Sequence, residues 1–131
     1  MLKQLKPALS VQITHLALSA IWNITGLILI GRNLHALGPT ASLTTAALLL
    51  VLGILLVFGA VRCRPLYIAV SGIVALAALS TVVGAFSKPP GLWPSDFWRY
   101  VGAALNSLGV VGAVWGMSIV WHHKNKSLNQ H

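Results

Sequence analysis

His15, Ser19, Trp22 and Gly26 recur at the i, i+4, i+7, i+11 spacing of one helical face, with Asn23 beside them. An imidazole, a hydroxyl and an indole in line can ligate haem, hydrogen-bond a quinone carbonyl or relay a proton. A second face has the complementary character. Gly102, Asn106, Gly109, Ala113 and Gly116 follow the same spacing and are almost all small. Gly112 and Gly116 also form a GxxxG pair, which lets two helix backbones approach closely. With the first apolar run centred near Ser19 and the last near Val110, Asn23 matches Asn106 in depth, and His15 matches Trp115. The expected seam joins those pairs and packs through Gly102, Gly109, Gly112 and Gly116. Read only as packing, the same residues supply interhelical hydrogen bonds worth under about 1–2 kcal/mol each.

What the set lacks restricts its chemistry. Asp96 is the one acid among 131 residues, against nine Lys and Arg. A nucleophilic triad needs an acid to orient its base, and none lies near a membrane histidine. One carboxylate makes neither a glycosidase pair nor a Ca²⁺ or Mg²⁺ cage. A bis-histidine haem needs a partner facing His15, yet His122 lies roughly 10 Å beyond Trp115 along its helix and His35 falls at the opposite end. Cys63, held between Arg62 and Arg64, is the single cysteine, so it forms neither an intrachain disulfide nor a Cys metal cluster. No catalytic activity, metal or cofactor is expected.

The elements that must position these residues are membrane helices. Hydrophobic residues make up 56% of the chain and charged residues 8%, where soluble domains carry about a quarter charged. Crossing a hydrocarbon core of about 30 Å takes about 20 helical residues. Four stretches reach that length: 8–30, 41–61, 66–87 and 98–121, free of Lys, Arg, Asp and Glu except for Arg99 at one end. The expectation is an all-α integral membrane protein, a single four-helix transmembrane bundle of antiparallel up-down topology. A short basic tail follows over 122–131. Lys3 and Lys6 ahead of an apolar run imitate a cleavable signal, but Gln12, Thr14 and His15 interrupt the run, so it reads as a retained first span. Pro7 suits that helix's first turn.

Four spans put both termini and the middle loop on one side. That side holds Lys3, Lys6, Arg62, Arg64, Lys124 and Lys126, against Arg32, Lys88 and Arg99 on the other. By the positive-inside rule both termini are cytoplasmic, in a bacterial inner membrane. The excess of +8 fits contact with anionic lipid headgroups better than nucleic acid, since no basic stripe with stacking aromatics accompanies it. The loop from Lys88 to Trp98 carries three prolines and a glycine, with Trp93, Phe97, Trp98 and Tyr100 expected at headgroup depth. Ser95 and Asp96 suit the start of the last helix, and Asp96 can pair with Arg99 three residues on.

The length and four-span layout resemble the small multidrug transporters, whose proton-coupled export depends on a glutamate in the first span. This chain has His15 in the comparable helix and no carboxylate there, so the resemblance does not carry that mechanism over. The reading that follows is a non-catalytic accessory or scaffold subunit of a larger membrane complex, its partners being lipid and other membrane subunits or further copies of itself. The alternatives are a small oligomeric channel or transporter using the polar seam, and a quinone- or haem-associated redox subunit.

Overall fold

The computed structural model describes the backbone of residues 1–128 and the side chains of residues 1–123. Its helices are α1 (Leu2–Gly31), α2 (Leu43–Arg62), α3 (Arg64–Ser87) and α4 (Asp96–Leu128), with a 3-10 turn at Pro90–Leu92. Each of the four is long and apolar enough to cross a membrane. The large apolar residues left exposed, such as Ile54 at 69% and Leu76 at 70%, are therefore those that face hydrocarbon. Each helix packs on its neighbour in chain order, and α1 closes against α4. The side chains of Lys124 and Lys126, and residues 129–131, lie outside the described residues.

Local chemistry explains most boundaries. The Met1 carbonyl accepts from the Gln4 and Leu5 amides, so α1 starts at Leu2 and Pro7 lies inside the helix rather than in its first turn. A proline there removes the backbone donor that would otherwise reach the Lys3 carbonyl. At the other end Asn33 adopts a left-handed φ of 58°, a conformation Asn accepts readily. The Leu34 amide then returns to the Leu29 carbonyl at 2.9 Å. Ser42 caps α2, its Oγ accepting from the Thr45 amide at 3.3 Å. Asp96 sits in the first turn of α4 and its carboxylate meets the Arg99 guanidinium at 2.9 Å.

Cys63 alone separates α2 from α3. Its amide donates to the Gly59 carbonyl and its own carbonyl accepts from the Tyr67 amide. A Cβ at Gly59 would lie 2.6 Å from the Tyr67 nitrogen, so this hairpin closes only around glycine. Tyr67 is thereby pushed fully into the core, among Leu5, Leu56, Val70 and Val120.

Glycines on α4 make the same allowance for α1. Gly102 faces the Trp22 ring, Gly109 the His15 ring and Gly112 the Val11 side chain. A Cβ at Gly109 would fall 2.5 Å from His15 Cε1, and one at Gly112 2.8 Å from Val11 Cγ1. At Gly116 it would overlap the Tyr67 hydroxyl. We expect Gly116→Ala to destabilise the fold by about 1–3 kcal/mol through overpacking. Gly72→Ala, with nothing within 4 Å, should stay within about 0.5 kcal/mol. Unfolding in mixed micelles with dodecyl sulfate measures both, and equal stabilities would contradict the packing described.

Candidate functional site

Three side chains meet where α1, α3 and α4 come closest. Gln12 is fully buried, and its Nε2 donates to the Gly112 carbonyl at 2.8 Å and to the Tyr67 hydroxyl at 3.0 Å. Ser71, also fully buried, donates from Oγ to Gln12 Oε1 at 3.5 Å. One amide thus ties three helices. The sequence marks Gln12 only as one of several polar residues in its span. Its position three residues before His15 put it on the same face, and that was the available signal. Tyr67 and Ser71, one helical turn apart on α3, carried no comparable mark.

His15 lies one turn farther along α1 and is 3% exposed. Its Nε2 contacts Asn106 Oδ1 at 3.5 Å. The Asn106 Nδ2 donates to the Gly102 carbonyl at 2.8 Å, which turns Oδ1 toward the imidazole. In the neutral tautomer protonated on Nε2 the imidazole donates to that oxygen, and Nδ1 is an acceptor. Asn23 is engaged elsewhere: its Nδ2 donates to the Ser19 carbonyl at 2.9 Å and its Oδ1 accepts from the Ser42 amide at 3.1 Å. It fastens the first loop to α1 and does not reach Asn106. Trp22 stands edge-on to Trp98, with ring centroids 5.8 Å apart.

The pairs expected from matched depth are therefore replaced. His15 meets Asn106, Asn23 meets Ser42, and Trp115 is turned outward, 43% exposed, beside Gln4 and Ser118. Relative to that expectation α4 is shifted by roughly one and a half turns along α1. Packing sets the register: each bulky α1 residue needs a glycine opposite, and Trp22, His15 and Val11 find Gly102, Gly109 and Gly112. Trp93, expected at headgroup depth, packs against protein. It is 7% exposed and clusters with Ala85 and Ala103.

Between this small cluster and the main core lies a cavity of about 290 Å³. His15, Ser19 and Asn106 contribute its polar floor, while Leu49, Val74 and Ala78 form part of an apolar wall. Lys88, Arg99 and Trp93 stand at the loop end, where Gly38 is held between the Trp22 and Trp93 indoles at 3.5 Å from each Nε1 to a Cβ position. Three buried side-chain atoms among the described residues have no hydrogen-bond partner: His15 Nδ1, Ser19 Oγ and Arg99 Nε. All three residues line this cavity. The three unpaired atoms are themselves enclosed by protein, His15 Nδ1 lying against Gly109, so the polar surface that the cavity shows comes from other atoms of its lining. The groups offered are an imidazole, a hydroxyl, an amide and a guanidinium. They can hold a molecule through hydrogen bonds.

The chain matches no known protein family, no curated protein and no solved structure.

Proposed function

We propose that this is a non-catalytic membrane protein of the transporter class, which holds a small molecule in the cavity between its helices. The observation that carries the reading is a cavity of about 290 Å³ between the helices, lined by His15, Ser19, Asn106 and Arg99 together with apolar side chains. Ligand sites characteristically combine apolar walls with a few placed polar groups in volumes of about 300–1,000 Å³. This cavity lies at the small end. Its depth, reaching His15 in the middle of α1, favours carriage across a bilayer over attachment at its surface.

The proposal includes topology. The helices run up and down in antiparallel order through a bacterial inner membrane, with both termini in the cytoplasm. The opposed order of contacts along α1 and α4, Trp22 to Gly102 and Val11 to Gly112, supports the antiparallel part. The basic residues around Cys63 and near both termini support the orientation. The cavity's basic end then faces outward.

Native mass spectrometry of the protein, extracted from its own membranes in mild detergent, tests the binding reading. We expect a bound small molecule that is lost when His15 and Asn106 are both replaced by leucine, whereas an adduct-free protein would sink the proposal. The orientation has a separate check in Cys63, the single cysteine and partly exposed. A membrane-impermeant maleimide should label it in inverted vesicles and spare it in intact cells. The reverse pattern would invert the topology.

A further inference from the structure

The α2–α3 hairpin is closed at one end and open at the other. On α2, Leu56, Leu52, Leu49 and Thr45 share one face at helical spacing. Along it Leu56 is fully buried, Leu52 and Leu49 are half-buried and Thr45 is exposed. On α3, Val70, Val74, Ala77 and Thr81 repeat that spacing, the first two buried and the last two exposed. Leu56 and Val70 pack in one cluster with Tyr67, beside the hairpin's Gly59 contact. Beyond them the faces part. Thr45, Leu49 and Leu52 line the cavity from one side, while Ala77 and Thr81 line it from the other.

Different partners hold the two far ends apart. The start of α2 is fastened to α1, with the Ser42 amide on Asn23 Oδ1 at 3.1 Å and Ala41 pressed against Gly26. The end of α3 is drawn toward α4, where Ala85 clusters with Trp93 and Ala103. The gap left between α2 and α3 opens the cavity sideways to hydrocarbon. Ala77 stands ten residues before Ser87 at the end of α3, or roughly 15 Å along the axis. One leaflet's share of the hydrocarbon core is also about 15 Å, so the gap spans the depth of the leaflet at the loop end.

The bilayer core holds no water to fill such a gap, and left empty it forfeits the dispersion contacts of both faces. Its rim asks for no polar partner at Thr81, whose hydroxyl donates to the Ala77 carbonyl at 3.0 Å. Leu49, Leu52 and Val74 offer the entering group an aliphatic wall.

We infer that the cavity takes the acyl chain of a bilayer lipid, which enters sideways between α2 and α3 from the leaflet at the loop end. This rests on the binding reading above and names its ligand class and its route.

Photolabelling of the full chain in nanodiscs tests this, using phosphatidylcholine with a diazirine midway along one acyl chain and mapping the label by peptide mass spectrometry. Leu76, on the outward face of α3, should be labelled as an ordinary lipid contact. Label should also appear inside, on Leu52 and on Asn106, whose helix does not border the gap. Ala77→Phe places a bulky ring at an exposed position in the gap. It should abolish the inner label while sparing that on Leu76. Leu76→Phe should leave the inner label in place. Label confined to outward residues, or inner label unchanged by Ala77→Phe, overturns the inference. A free fatty acid bearing the same diazirine is the second probe. Inner label from it and none from the phospholipid would assign the cavity to a free amphiphile, which equally overturns the lipid assignment. A non-lipid molecule captured in the native mass spectrum would still sustain the binding reading after any of those results.

Discussion

The hydrogen bond from the Gln12 amide to the Gly112 carbonyl, 2.8 Å long, is the constraint on which the rest of the bundle depends. Between membrane helices lipid tails are as apolar as leucine, so burial does not choose partners. Close backbone approach and satisfied polar groups do. A side-chain amide reaches a neighbouring helix's carbonyl only if that helix presents no side chains in the way, and Gly112 and Gly116 clear the path. The same amide engages Tyr67, which the Gly59 hairpin drives inward. With three helices tied at that level, His15 falls beside Gly109 and next to Asn106. The indoles of Trp22 and Trp93 then stand where the seam opens. Small residues close one end of the bundle and large ones prop the other.

Along α1, bonded and unbonded polar atoms are separated. Gln12 uses its amide on protein groups. His15 and Ser19, one and two turns on, each keep an atom without a protein partner. Unpaired groups in hydrocarbon are costly. The scarcity of acids has a matching consequence. With Asp96 spent on Arg99, Lys88 is left as the unbalanced charge at the cavity's loop end.

The four helices were legible because length and hydropathy suffice to mark a span, and the ends at Gly31 and Ser87 follow from ordinary helix grammar. The small face of α4 and the His15–Ser19–Trp22 face of α1 were readable from helical spacing. Their register was not. Depth matching treats helices as rods with centres, whereas the contact is decided by which bulky residue finds a glycine, and that needs both surfaces at once. The Gln12–Tyr67–Ser71 cluster was hidden for a related reason: α3 reaches α1 across the bundle, a contact no spacing within one helix reports. Trp93 looked like an interfacial anchor because tryptophan usually is one. The turn at Pro90–Leu92 instead folds it back onto Ala85 and Ala103.

An experimental structure of the protein taken from its native membranes without stripping bound molecules bears most directly on the central claim. It should show density in the cavity beside His15, Ser19 and Asn106. An empty cavity, or one closed by its own side chains, would contradict the account.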